Sequence, residues 1–333
     1  MNRLRVGVIG MGLMGYAHAR VYKSLPYVEL VGCVEPFEKT RLAMAEKLGV
    51  PVFATTKELY ALGIDAVSIT TPDQLHEEAV VEALKNKVRV LVEKPLGISS
   101  ESCRRMLDAC PDDRYLMVGH DLHFDSRVVA AKKDLQAGKL GRIEFMTTKR
   151  TSSIPLGYKI GPRTSVCWFL GIHDLELILW LTGLKVKKVE SAMALKVFSE
   201  HWDCLSALIR MENDAILSLN THWLFPSVHS QESDSMIQIF GSDGVSEISL
   251  LKNEYSFTAN QPDGRQKYTD VHYQPDDIYG IPDGMLREEI SVFAQSVMKD
   301  EVPPITGKDA LNAVLVIEEV ENILKKTGVD IRN

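Results

Sequence analysis

Apolar and polar positions follow two periods along this chain. Up to about residue 119, short apolar runs alternate with stretches whose apolar residues recur every three or four positions. The runs at 4–10, 30–34, 66–70, 89–93 and 115–119 are predicted strands, with a brief candidate at 50–53. The stretches at 13–25, 36–48, 57–62, 76–84 and 100–109 are predicted helices, and Pro26, Thr71-Pro72 and Pro95 act as stops between elements. Strands alternating with helices at this spacing argue for βαβ units and a parallel sheet covered on both faces.

Beyond about residue 120 the period changes. A helix at 126–137 ends at Gly138, and strands follow at 142–151, 187–198, 203–211, 215–223, 235–241 and 245–250. Glu212-Asn213-Asp214 and Ser242-Asp243-Gly244 carry hairpin chemistry. One helix at 168–181 interrupts the strands, and two more close the chain at 287–298 and 309–326, the last capped by Gly328. The pattern predicts an α/β domain over 1–120 and an α+β domain over 121–333 whose large, mainly antiparallel sheet is flanked by helices. Helices on one face leave the other to be buried by a second copy, so a homodimer or homotetramer through this sheet is expected, with Ala192–Leu195 and Ile237–Phe240 supplying apolar residues. The aperiodic segment from Ser152 to Ser165 is read either as a lid or as surface variation.

Composition narrows the function classes. A chain of 333 residues exceeds the usual size of one core, which agrees with two domains. Its 38 basic and 45 acidic residues give a net charge of -7, which offers little to a polyphosphate backbone, so no nucleic-acid partner is expected. Asp65, His173, Asp174 and Glu176 interrupt the apolar blocks, so no membrane partner is expected either. The chain enters a glycine turn within ten residues of Met1, too soon for a signal peptide, and a cytoplasmic protein fits. Cys33, Cys103, Cys110, Cys167 and Cys204 include no C-x-x-C pair and are read as reduced thiols, Cys167 as a buried small hydrophobe in preference to a reactive one.

The first chemical signal is Gly10-Met11-Gly12-Leu13-Met14-Gly15, a G-x-G-x-x-G between a strand and a helix. That context puts free backbone N–H groups against a pyrophosphate, with Gly12 admitting the ligand and Gly15 letting helix and sheet close. Glu35 ends the next strand, about 20 residues on, where an acid accepts the adenosine ribose hydroxyls. A carboxylate there repels a 2′-phosphate, and Pro36-Phe37 supply no cation, so NAD is expected over NADP; Lys39 and Arg41 keep the question open. A second site is indicated by Lys94, at the carboxyl end of a predicted parallel strand, where open α/β sheets gather ligands. An ammonium placed there can exchange a proton with a reacting oxygen. His173 lies in an apolar helix on a face shared with Phe169, Glu176 and Trp180; on residue chemistry alone a satisfied core histidine is the stronger reading.

With that fingerprint, Thr71-Pro72 followed by His76, then Glu93-Lys94-Pro95, Gly138-Lys139-Leu140-Gly141, Gly171-Ile172-His173-Asp174 and Pro303-Pro304-Ile305-Thr306-Gly307, the chain resembles the Gfo/Idh/MocA oxidoreductases, the glucose-fructose oxidoreductase and inositol dehydrogenase family. The resemblance covers nearly the full length. It implies a Rossmann domain, pyridine-nucleotide redox chemistry on sugars, polyols or their derivatives, and a substrate held between the Rossmann domain and the second sheet. It also implies that Lys94 and His173 are catalytic and that Thr70, Thr71, Pro72, His76 and Glu93 border the cofactor. Asp121 and His123 match a stretch that often lines the substrate cleft, and Lys159, Arg163 and His222 are softer candidates for polar substrate groups. Phe169 stands where many relatives have an aspartate four residues before the histidine, and Glu176 where many have one three residues after it. That departure puts the substrate class in doubt. The nine histidines, His229 and His272 among them, include no compact ligand set beyond the pair His120 and His123, so no metal is expected.

The expected activity is hydride transfer between nicotinamide and a secondary alcohol or ketone, with Lys94 or His173 handling the hydroxyl proton. A glycosidase that uses NAD for transient oxidation is an alternative. A non-catalytic nucleotide binder is another, raised by Phe169 and opposed by Lys94 and His173.

Overall fold

The computed structural model describes residues 3–227, 233–249, 254–259, 267–270 and 280–327. The chain forms two compact units, one of Met1–Phe124 with Gln274–Val314 and one of Asp125–Tyr273 with Leu315–Asn333. Where periodicity points to one boundary near residue 120, the chain instead returns to its first unit late in the sequence.

The first unit is built on six strands: β1 (Leu4–Ile9), β2 (Val28–Val34), β3 (Val52–Phe53), β4 (Ala66–Ile69), β5 (Arg89–Glu93) and β6 (Leu116–Gly119). Their spatial order is β3-β2-β1-β4-β5-β6 and every pairing is parallel. The order reverses direction between β1 and β4, which opens a crevice beyond their carboxyl ends where such sheets bind ligands. Helices α1 (Leu13–Ser24), α2 (Glu38–Leu48), α3 (Thr56–Tyr60), α4 (His76–Lys85) and α5 (Ser100–Asp108) connect the strands. Val6, Val8, Val67, Ile69, Val90, Leu91 and Val92 are buried, as strands covered on both faces require. The returning segment adds to the free edge: Val118 N–H bonds the Ile305 carbonyl, and Met117 bridges Thr306.

In the second unit, α6 (Ser126–Gln136) precedes β7 (Ile143–Ser153), α7 (Ile154–Ile160), α8 (Ile172–Thr182), β8 (Val186–Leu195), β9 (Cys204–Met211), β10 (Ile216–Phe225), β11 (Ser233–Gly241), β12 (Gly244–Ser249), β13 (Glu254–Ala259) and β14 (Lys267–Asp270). The eight strands run β14-β13-β12-β11-β7-β10-β9-β8. Pairing is antiparallel except between β7 and β10, the one parallel pair among the described residues of this sheet. One face buries Ala192, Ala194, Leu205, Ala207, Ile209, Leu217, Leu219, Ile237 and Ile239, whereas Phe145, Met193, Leu195, Leu208, Ile216 and Phe240 are exposed on the other. Helices α9 (Met285–Lys299) and α10 (Gly307–Thr327) close the chain.

Three local features differ from the pattern-based expectation. The segment at 152–165 is not an aperiodic loop: it contains α7, started by Pro155 in the first turn. A Cβ on Gly157 would lie 2.4 Å from the Phe198 ring, so glycine lets this short helix lie against its neighbours. The helix predicted from 168 begins as a π turn over Cys167–Gly171, shown by the Ile172 N–H reaching the Cys167 carbonyl five residues back. Strands β13 and β14 carry too weak an alternation to be read from the sequence. Gly328, His229 and His272 lie outside the described residues.

Candidate functional site

In the first unit the glycine turn leaves β1 at Gly10, whose φ of 93° is left-handed and whose added Cβ would sit 2.9 Å from Thr71 N. A Cβ on Gly15 would lie 1.8 Å from the Gly10 carbonyl oxygen, while one on Gly12 would meet nothing within 4 Å. The turn is therefore packed at both ends and open in the middle, the shape a pyrophosphate needs. No side chain caps the N-terminus of α1, so its first N–H groups retain donor capacity for an anion. Met11 is buried beneath the turn, Leu13 is exposed, and Met14 is intermediate. Thr70 steadies the turn by donating its hydroxyl to the Gly10 carbonyl at 2.7 Å.

Glu35 is buried and already bonded: Oε2 accepts the Met11 N–H at 3.1 Å and Oε1 accepts the Phe37 N–H at 3.0 Å. Each carboxylate oxygen retains a second lone pair for a ribose hydroxyl. Arg41 does not approach the carboxylate; its Nη1 donates to the carbonyls of Glu35 and Pro36 at 3.2 and 3.0 Å. The glycine cradle and the acid together fit an NAD nucleotide.

At the end of β4, Thr71 Oγ1 is buried without a partner among the described residues, a polar atom available to a ligand beside the crevice. Pro72 begins the following turn, and His76, expected near the cofactor, is fully buried. Its Nδ1 meets the Pro95 carbonyl at 2.8 Å and its Nε2 the Thr71 carbonyl at 3.0 Å, so it ties the exits of β4 and β5 together. Lys94 leaves β5 partly exposed. Beside it Glu93 is 12% exposed in its side chain and bonded to His18 Nε2 at 3.0 Å. Despite burial, the His18 hydrogen bond and the nearby Lys94 hold the Glu93 carboxyl below the usual carboxylate range.

Asp121 and His123 occupy a 3₁₀ turn after β6, His123 buried with its ring 6.4 Å from that of His120. Asp121 acts electrostatically on Glu289 of α9, a fully buried carboxyl with neither oxygen partnered among the described residues. Burial first, then the Asp121 and Glu93 charges, pushes Glu289 well above the usual range. Sequence reading missed His18 and Glu289. The signal for His18 was its place with Gly15, Ala19 and Tyr22 on the buried stripe of α1.

In the second unit His173 is partly exposed at the start of α8. Asp174 beside it is fully buried and accepts Arg150 Nε and Nη2 at 2.7 Å each, an anchor from β7 that the sequence did not reveal. Burial raises the Asp174 carboxyl, and Arg150 opposes that. Glu176 is buried on the same helix. Phe169 lies inside the π turn with its ring 6.0 Å from that of Trp223, so an α-helical count from Phe169 to His173 does not hold. Trp223 in turn donates its Nε1–H to Asp203 at 2.8 Å.

The remaining candidates are spread out. Lys159 and Arg163 are exposed at and after the end of α7. His222 alternates with buried Thr221 and Trp223 on β10 and so faces the open side of the sheet, whereas Gly171, just before α8, packs on Thr221. His222 therefore points away from the helix that carries His173. Among the described residues no group of three or more His, Cys, Asp or Glu is placed to hold a metal, and no helix is long and apolar enough to cross a membrane.

Comparison with known proteins agrees with this geometry. A family model described as "Oxidoreductase family, NAD-binding Rossmann fold" matches residues 4–120, and one described as "GFO/IDH/MocA C-terminal domain" matches residues 128–247. The rhizopine catabolism protein MocA of Rhizobium meliloti is 22% identical over 335 residues, spanning 98% of this chain and 96% of that protein. The scyllo-inositol 2-dehydrogenase (NAD(+)) of Bacillus subtilis is 24% identical over 318 residues, spanning 93% and 90%. Among solved structures, an oxidoreductase from Agrobacterium radiobacter in complex with NAD+, L-tartaric acid and magnesium superposes with a TM-score of 0.86 at 18% identity, covering 99% of each chain.

Proposed function

The chain belongs to the Gfo/Idh/MocA oxidoreductase family, and from that premise we propose that it moves hydride between NAD and a secondary alcohol or ketone of a sugar, polyol or sugar derivative. The observation that carries this reading is Lys94 at the exit of β5, in the same unit as an open glycine cradle and an acid suited to ribose. The similarity to the inositol dehydrogenase of Bacillus subtilis supports a polyol-like substrate. Bound NAD supplies the hydride acceptor. Gly12 and the N-terminus of α1 receive the pyrophosphate, Glu35 receives the ribose hydroxyls, and the same carboxylate disfavours a 2′-phosphate. Lys94 takes the proton of the substrate hydroxyl during oxidation and returns it during reduction. His173 orients the substrate oxygen. Phe169, whose ring lies beside Trp223 in the π turn, stands in the sequence where many relatives have an acid and supplies no carboxylate to the proton path.

The open face of the second sheet, with its exposed Met193, Leu195, Leu208 and Phe240, supports burial against a second copy. Five unbridged cysteines suit a reducing compartment such as the cytoplasm. A screen of inositols, aldoses, uronates and amino sugars, followed by nicotinamide absorbance, tests the activity. Absence of turnover by protein that demonstrably holds NAD counts against it.

A further inference from the structure

A buried chain of hydrogen bonds runs through the first unit behind Lys94. Tyr22 OH lies 2.8 Å from Ser68 Oγ, Ser68 Oγ lies 3.0 Å from His18 Nδ1, and His18 Nε2 lies 3.0 Å from Glu93 Oε1. Tyr22, Ser68 and His18 are all fully buried. A carboxylate can only accept, so Nε2 carries the proton it gives to Glu93. At the other end of the ring Nδ1 meets Ser68 Oγ, and the same oxygen meets Tyr22 OH. Burial pushes the Tyr22 phenol well up, so its hydroxyl keeps its proton within this chain.

The groups around Glu93 come from five places. His18 and Tyr22 lie on α1, His76 on α4, Lys94 at the exit of β5, Asp121 in the turn after β6, and Glu289 on α9. Glu289 is buried without a hydrogen-bond partner among the described residues, and its carboxyl is pushed well above the usual range. Against the burial that raises it, the His18 hydrogen bond and the nearby His18, Lys94 and His76 hold the Glu93 carboxyl below the usual range, and Glu93 and Lys94 act on one another.

We propose that His18 is a positioning residue for Lys94: by donating to Glu93 it fixes the buried carboxylate beside the lysine and so sets the pH at which Lys94 releases its proton. This rests on Lys94 being the proton-transfer group of the proposed reaction. His18 itself is fully buried, with no surface open to substrate or nucleotide. Without it Glu93 is a buried carboxylate short of its main donor, gains a proton more readily and stops stabilising the ammonium.

The test reads Lys94 directly and needs no substrate. Protein labelled with ¹³C at lysine Cε, nucleotide-free and NAD-saturated, is titrated by NMR, with the Lys94 signal assigned by its loss in Lys94→Arg. His18→Leu should lower the Lys94 midpoint by about one pH unit, roughly tenfold in proton affinity. Glu93→Gln should lower it at least as much. His18→Gln, whose amide can donate to Glu93 from near the Nε2 position, should restore most of the wild-type value, a rescue that mere filling of space does not give. Ser68→Ala, which removes the bonds of Ser68 Oγ to His18 Nδ1 and Tyr22 OH but leaves His18 Nε2 on Glu93, should give a smaller lowering and carries the test if His18→Leu fails to fold. NAD affinity should stay within a few-fold in the two His18 variants and in Ser68→Ala, since the glycine turn and Glu35 are untouched. A Lys94 midpoint unchanged in folded His18→Leu, or in Glu93→Gln, overturns the proposal. If these shifts appear but no polyol or sugar is oxidised, the functional reading fails and the coupling of His18 to Lys94 stands.

Discussion

Glu35 accepts the backbone N–H of Met11 at 3.1 Å, so the acid that ends the second strand also fastens the turn that leaves the first. Its loss should act twice, removing the ribose acceptor and loosening the cradle. Glu35→Ala is expected to weaken NAD binding by about tenfold or more, the scale of a charge-assisted hydrogen bond, and to narrow the preference for NAD over NADP. Calorimetric titration of both nucleotides measures each effect. Tighter NADP than NAD binding by the wild type sinks the cofactor assignment.

Gly12 and Gly15 separate nucleotide binding from folding. Alanine at 15 places its Cβ against the Gly10 carbonyl, whereas alanine at 12 meets open space at an ordinary negative φ of -72°. Gly15→Ala should lower Tm and abolish NAD binding together. Gly12→Ala should keep a near-wild-type Tm in the absence of nucleotide and lose the extra thermal stability that added NAD gives the wild type. Equal Tm losses in the two variants would contradict the close and open ends of the cradle.

Lys94→Ala should leave NAD binding within a few-fold and slow the hydride step by roughly 10²-fold or more. Lys94→Arg should recover little, because guanidinium does not surrender its proton near neutral pH. His173→Ala should show a smaller loss in the same step. Single-turnover kinetics resolves these from product release, and near-normal chemistry in folded, NAD-bound Lys94→Ala removes the lysine from the mechanism.

Glu289 makes stability depend on pH in a definite direction. Its carboxyl is raised in the folded state, so the folded protein holds the proton more tightly than the unfolded chain does. That contribution is fully present below the ordinary glutamate range and declines as pH rises toward the folded-state value. Glu289→Gln keeps the uncharged shape and removes the titration. The variant should therefore gain stability over wild type progressively from pH 5 to pH 8 in denaturant melts. A difference that is flat with pH, or that favours the wild type at pH 8, rules out an uncharged buried carboxyl.

Leu208 and Met193 stand on the uncovered face of the second sheet, on neighbouring strands β9 and β8. Leu208→Glu should shift the protein from an oligomer to a monomer in light scattering at micromolar concentration while leaving its NAD affinity unchanged. A monomeric wild type defeats the expectation outright.

The parallel sheet and the glycine cradle were legible because each depends on local pattern: apolar runs, stops at proline, and three glycines at fixed offsets. Lys94 was legible for the same reason, as a charge at a strand end. The π turn was not, since one extra residue in a turn leaves no compositional trace, yet it moves Phe169 out of α-helical phase with His173. Pairings between distant segments were equally silent. Arg150 with Asp174, and His18 with Glu93, join residues whose separation along the chain gives neither a period nor a motif. His76 shows the converse: its position beside Thr71-Pro72 suggested a cofactor contact, and both ring nitrogens turn out to meet backbone carbonyls.

The late return of the chain to its first unit bears on the order of synthesis. When residue 120 leaves the ribosome, β6 still has a free edge, and the segment of Ile305 and Thr306 that bridges it has not yet been made. The helix that brings Glu289 is also missing at that stage. A nascent chain can therefore collapse its early βαβ units but cannot finish the nucleotide fold until residues 285–306 have been made. Fragments released before that point would carry an open sheet edge prone to pairing with one another, so chaperone capture and proteolysis should fall on prematurely terminated chains.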